Sequence, residues 1–476
     1  MLSRILHHEW RTLTADAVLW VIVGVFALGI GYGVWNGSRW VAFQQAALAS
    51  AAAEESARYD GLTTQVARIA AGEAVSPFAD PRSPSNLGGR LGPRYATLPP
   101  GPLAPLAIGQ SDLLPYYFKV STDARENIVA ATEIENPQRL LAGRFDLAFV
   151  IIFLFPLLIL AITYNMVSAE KEQGTLALVL SQPVSLATLV TGKVVLRALL
   201  LVGVVVVFSA VALIATGTSL AAPGVAARLA LWVAAVAAYG ALWFGLAILV
   251  ASLGANSATS ATLLAGAWLV LVVLLPSLFN MAVTTLYPVP SRVEMVQAMR
   301  VASDEANAAG STLLAGYYED HPELAVGGAE QAMTDFNVIR VAVNDDVEKR
   351  VRPIVDRYDQ QIARQQATID RLRFLSPAVL MQDALNDVAG SGVPRHRGFM
   401  AQVGAYHAAW RAYFTPLIFQ KASVSEVAST PRFAFAEETT GEVAARVLRS
   451  VAGLAIPALA LGWIGLSRLR RYPVVG

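Results

Sequence analysis

The sequence predicts an all-α membrane protein: six transmembrane helices with a large, mainly helical extracytoplasmic domain built from two insertions. Three observations predict it. Hydrophobic residues make up 55% and charged residues 15% of the 476, with a mean hydropathy of +0.50, whereas soluble domains carry about 25% charge. Several apolar runs approach or exceed the roughly 20 residues needed to cross a bilayer. Positive residues gather at the N-terminus, near residues 171–193 and at the C-terminus, which places those three segments in the cytosol. The net charge of +1 gives no basic face for nucleic acid, and the absence of cysteine excludes disulfides, thiolate metal sites and cysteine nucleophiles.

Residues 1–16 set Leu2, Ile5, Leu6 and Trp10 at helical spacing among Arg4, His7, His8, Glu9 and Arg11, which predicts a helix lying at the membrane surface. His7-His8-Glu9 lacks the spacing of a metal-binding helix. The first apolar run begins near Ala17 and has no small-residue cleavage site close behind it, so it reads as a span rather than a signal peptide. That span covers 17–35, and its helical pattern runs on to about Ala71. The rest of the first insertion (36–146) is rich in Pro and Gly between Ser76 and Leu114, and Asn136-Pro137 reads as the cap of the helix entering span two.

Span two covers 147–166, with Pro156 a kink. After the connecting loop 167–193, span three covers 194–215, span four 229–253 and span five 260–279, with Pro276 near its end. The turn between spans four and five holds Gly254, Asn256 and Ser257. Asn165, Tyr239, Trp243 and Asn256 are the polar or amphipathic candidates for lining a path between the spans. The second insertion (280–443) starts with a capping box, Ser291 to Glu294. A long helix follows from about Ala329 to Phe374, disturbed at Pro353, with Ile354, Tyr358, Ile362, Ile369 and Leu372 as its apolar stripe. Ser376-Pro377 opens another helix, closed by Gly390 and Gly392, and an amphipathic piece runs from Phe399 to Phe419. Span six covers 444–467 and residues 468–476 form a basic tail.

No catalytic constellation is legible. Gly192-Lys193 is not a phosphate loop, because Ala187 stands where its first glycine belongs and Val194 where Ser or Thr is needed. His321, His396 and His407 are scattered. No run of intramembrane Asp, Glu or Lys suits a proton-coupled carrier. The chain reads as a non-enzyme with no cofactor of its own.

The loop between spans two and three is the most informative stretch. Glu170, Lys171, Glu172 and Gln173 lead to Gly174 and Thr175; a short apolar helix follows, Pro183 breaks it, and Ser185 caps the next helix. Glu170-Lys171-Glu172, Gly174-Thr175-Leu176, Ser181-Gln182-Pro183-Val184-Ser185 and Gly192-Lys193, in this position, resemble the ABC-2-type permease superfamily. The nearest branch has large extracytoplasmic insertions and includes relatives of the nitrous-oxide-reductase maturation permease. Leu375 to Ala378, Gln382 to Leu385 and Tyr406 to Phe414 are similar to that branch too.

The resemblance implies a permease subunit of an ATP-driven exporter in the bacterial inner membrane, with both termini cytosolic. It implies a separate ATP-binding subunit that carries ATP and Mg, and a second permease chain, identical or not. The segment from Glu170 and Glu172 through Gly174, Thr175, Leu176, Val179, Leu180, Ser181, Gln182, Pro183 and Val184 would be the coupling helix. Gly174 would permit the entry turn, Leu176, Val179 and Leu180 would supply apolar contacts, and the two glutamates would pair with basic groups. The alternative is a mechanotransmission or scaffold subunit that acts on periplasmic partners without transport.

Overall fold

The computed structural model describes residues 2–15, 17–124, 145–182, 184–218, 221–288, 292–321, 324 and 335–471. Among them are six helices long and apolar enough to cross a membrane, so the chain is a multi-pass, mainly helical membrane protein. A surface helix, Leu2–Ala15, precedes span one, which runs unbroken from Ala17 to Ala70. Span three is Leu186–Ala215, span four Val225–Ala251 and span six Thr440–Leu469. Thr439 caps span six. Thr439 accepts from Glu442 N (3.3 Å), and the Glu442 carboxylate returns to Thr439 N (2.9 Å).

Spans two and five each change register just before a proline. Span two is Leu147–Phe149, a π turn at Val150–Leu154 and Phe155–Thr163; span five is Ser257–Trp268, a π turn at Leu269–Leu274 and Leu275–Leu286. Pro156 and Pro276 have no N–H to give, so carbonyls on the preceding turn need other donors. Tyr239 Oη donates to Ile152 O (2.8 Å) and Trp268 Nε1 to Phe153 O (3.2 Å). Ser376 Oγ serves Leu271 O (2.9 Å). Tyr239 and Trp243 are fully buried, and Asn256 caps span five through Thr259 N (2.8 Å). Spans four and six pack closely at glycines: a Cβ on Gly245 would lie 2.7 Å from Ala458 O, and one on Gly465 2.9 Å from the Ile248 carbonyl carbon.

At the end of the bundle away from the 167–193 loop, both long insertions fold into one helical body. Its core joins Tyr59 and Leu62 of the extended first helix to Leu314, Val338, Phe399, Trp410 and Phe414. Among the described residues the one departure from an all-α reading is a hairpin, β1 (Arg94–Thr97) against β2 (Tyr117–Val120), antiparallel with Arg94 opposite Val120. It is clamped to the first helix: Arg94 pairs with Glu55 (2.7 Å) and stacks 3.8 Å from the Tyr59 ring, and Tyr95 N donates to Glu55 (2.8 Å). Two longer helices, Phe336–Leu372 and Val393–Phe419, complete the body. Pro353 leaves the first of these unbroken, and its stripe of Ile354, Tyr358, Ile362, Ile369 and Leu372 is half-buried. The expected cap at Asn136-Pro137 and the Ser291 of the second capping box lie outside the described residues.

Two features seat this body on the spans. The first is a keystone helix, Pro377–Ala389, capped by Ser376 and ended by Gly390 in the left-handed region (φ 78°). Its Leu380, Met381, Ala384, Leu385 and Val388 belong to the same apolar core as the spans. Arg228, at the start of span four, donates to Val388 O (3.1 Å). Arg395 forks onto Glu437 (2.7 and 2.6 Å), and Arg446 of span six bridges Asp387 (3.1 Å) and Glu438 (2.7 Å). Burial opposes charge on Glu437, but the Arg395 guanidinium outweighs it and holds that carboxyl below its ordinary range. The second feature is a hook, residues 98–108, which has no regular structure yet buries Leu103, Leu106 and Ala107 in the span core. Its backbone is tied down by Asp146, which caps span two through Phe149 N (2.7 Å) and accepts from Ile108 N (2.8 Å).

Asp383 on the keystone helix gives a pH signature. Burial raises its carboxyl from 3.8 to about 6, with Arg373 at 3.4 Å only partly offsetting this. The folded state therefore holds a proton that the unfolded chain releases from about pH 4 upward, so this stabilisation is present below pH 4 and lost as pH rises through 6. Asp383→Asn is expected to raise the thermal midpoint by about 1–2 °C at pH 7.5 and to leave it unchanged at pH 4.5. Unfolding scans in detergent at the two pH values check this.

Candidate functional site at the crossbar

Residues 168–185 form a crossbar joining spans two and three. It opens with a one-turn helix, Ser168–Glu172, which closes by a two-bond cap: Gly174 N donates to Lys171 O (3.1 Å) and Thr175 N to Glu170 O (3.0 Å). That geometry requires a left-handed residue, and Gly174 supplies it at φ 73°. A second short helix, Leu176–Leu180, follows, and Ser185 accepts from Thr188 N (3.2 Å) to start span three.

The three charged residues at the base each reach a different element. Glu170 pairs with Lys193 of span three (2.7 Å), whose ammonium also donates to Met166 O (3.0 Å) at the end of span two. Lys171 reaches Gly254 O in the turn between spans four and five (3.3 Å). Glu172 accepts from Ser257 N (2.7 Å) and its hydroxyl (2.9 Å), so a carboxylate sits at the N-terminus of span five. Beside them, Arg197 of span three forms a buried ion pair with Glu9 of the surface helix and also donates to Ile162 O. Apolar contacts complete the base: Met166, Val167, Leu176, Leu186 and Val190 pack with Ile248 of span four and Leu469 of span six.

Leu176 is 6% exposed and Leu180 half-buried, both packed against the base of this chain. Leu178, not singled out in the sequence, is 72% exposed, and Gly174, Thr175, Ser181 and Gln182 are exposed around it. In a five-residue helix, positions 176, 179 and 180 share one face and 178 lies opposite, so periodicity alone carried the signal. Glu170 pairs with a basic group of this chain, whereas Glu172 is bound by an amide and a hydroxyl rather than a cation. Val184 is half-buried beside the base cluster; the side chain of Val179 and the whole of Pro183 lie outside the described residues.

Two histidines of the outer body are bonded to backbone carbonyls. His396 Nε2 donates to Pro115 O (2.9 Å) and burial lowers its pKa; His407 Nε2 donates to Asp123 O (2.8 Å). Among the described residues no group of His, Asp and Glu could hold a metal ion.

A family model described as a domain of unknown function, DUF3526, matches residues 292–436. The match spans the second insertion, from the helix Arg292–Ala308 to the irregular run just before Glu437, and includes neither the crossbar nor any of the six spans. No curated protein matches the chain.

Proposed function

We propose that this chain is the membrane subunit of an ATP-driven exporter of the ABC-2 type. In this reading the crossbar lies in the cytosol and takes the push of a separate ATP-binding subunit. The observation that carries it is the crossbar's division into two sides. One side exposes Leu178 with a ring of small and polar residues around it, a shape suited to a shallow cleft. The other side is bonded to spans two, three and five and to the turn after span four, so a displacement of the tip reaches the whole bundle. The ATP and Mg sit in the partner, and a second permease chain completes the path. The helical body then lies outside the cytoplasmic membrane.

The test is co-purification. Replacing Gly174–Val184 with a Gly/Ser linker is expected to abolish capture of the ATP-binding subunit while membrane insertion persists; assembly and ATP turnover at the wild-type level would overturn the assignment. Glu172→Ala, which removes the carboxylate at span five, is expected to keep assembly and lower substrate-stimulated turnover about two- to fivefold, the size of one capping interaction.

The ion pairs beneath the outer body favour a second reading, mechanical work on an external partner. Arg446–Asp387 fastens that body to span six, and Arg228 of span four lies 3.9 Å from Glu437, which Arg395 also holds. ATP turnover stimulated by an external partner, with no flux of solute in vesicles, would select this reading.

A further inference from the structure

Where the first helix, the hook and the far end of the keystone helix meet, they enclose a small cavity that is partly open to solvent. Its space for the centre of a water molecule is about 20 Å³, and about 10–15 Å³ is enough for one water on this measure. Trp40 and Gln44, one turn apart on the first helix, face this joint: Trp40 Nε1 donates to Ser111 Oγ (3.0 Å), and Gln44 lines the cavity. Gln44 is 4% exposed, and among the described residues no group pairs with its side-chain amide. Three other polar groups of the lining are already engaged. Ser111 Oγ donates to Ile108 O (2.6 Å) and Ser391 Oγ to Asn386 O (3.4 Å), which leaves each hydroxyl able to accept. Arg395 is committed to Glu437 and to Gly390 O (3.2 Å).

We propose that this cavity binds one ordered water molecule, bonded to the Gln44 amide and shared with the hook and the end of the keystone helix. Three observations select that occupant. An amide buried without a partner is destabilising, and a bridging water removes the penalty. The size admits one water and leaves no room for a substrate-sized molecule. Arg395 is neutralised by Glu437, so the lining lacks the free charge that an anion would need. The amide of Gln44 donates to the water, and the hydroxyls of Ser111 and Ser391 accept its protons, which meets the usual need for about three partners. The water thereby adds a directional bond between the long first helix and the keystone helix, at a joint otherwise lined largely by prolines and glycines. The site does not depend on the exporter reading.

The test is a cryo-EM map of the full chain in nanodiscs, at a resolution that shows ordered water, together with thermal midpoints. A peak is expected within about 3.2 Å of the Gln44 amide. Gln44→Met keeps the length of the side chain and removes its amide. It is expected to lose the peak and to lower the midpoint by about 1–2 °C, the size of one lost hydrogen bond in a chain this long. A well-resolved Gln44 with no peak beside it would overturn the site. So would a Gln44→Met midpoint equal to or above that of the wild type, because replacing an unsatisfied amide by an apolar group of similar shape is neutral or stabilising. A peak ringed by about six oxygen contacts would identify a metal cation and overturn the assignment to water.

Discussion

Leu178→Asp is expected to strip the ATP-binding subunit from the purified chain, lowering co-purification at least about tenfold, because an interface that covered the leucine would bury an unpaired carboxylate instead. The side chain is 72% exposed and belongs to none of the apolar clusters, so the fold should not register the change. A thermal midpoint within about 1 °C of the wild type is the control. Leu176→Asp provides the contrast. It places a charge among Met166, Leu186, Val190 and Ile248, and it should destabilise the bundle itself. Wild-type levels of complex with Leu178→Asp would remove the tip from the docking surface and, with it, the case for the crossbar as the point of attachment.

The second large effect concerns the pair Glu9–Arg197. Both side chains are nearly buried, at 6% and 10% exposure, where two apolar spans meet the surface helix. Removing one partner leaves the other charge stranded, and this costs about 3–5 kcal/mol. Arg197 also supplies Ile162 O, so Arg197→Met breaks the tie to span two as well. Glu9→Ala is expected to free the surface helix for proteolysis near Arg11 while span three stays in place. Exchanging the residues, Glu9→Arg with Arg197→Glu, should restore much of the protection, because the pairing matters more than which helix carries which sign. Protection of Glu9→Ala equal to that of the wild type would show that the helix is held by its apolar face alone.

The two results also separate what the sequence could and could not disclose. Spans are written in long apolar runs, and helix starts such as Ser185 and Ser376 are local patterns, so both were legible, whereas the cap at Asn256 was not read. Arg197 reads as a basic residue at the cytosolic start of span three. Glu9, 188 positions away, could not be named without the fold. The hook at 98–108 was unreadable for another reason: buried chain without regular structure carries no period, and its prolines and glycines resemble an exposed linker. The hairpin was missed because each strand is only four residues long. The crossbar was recognised as a unit from its glycine and proline punctuation. Which leucine faces outward depended on how its five-residue helix settles on spans four and six.

The first long helix has a mechanical corollary. Fifty-four residues without a break make a rod about 80 Å long, at 1.5 Å per residue. Its lower part leaves the bilayer beside the surface helix and its upper part holds the hairpin through Glu55 and Tyr59. A tilt of about 10° around the midpoint would sweep each tip by about 7 Å, with no hinge to absorb it. Small angular changes at one membrane face thereby become large excursions at the crown, and a glycine pair inserted midway along the shaft should decouple the two.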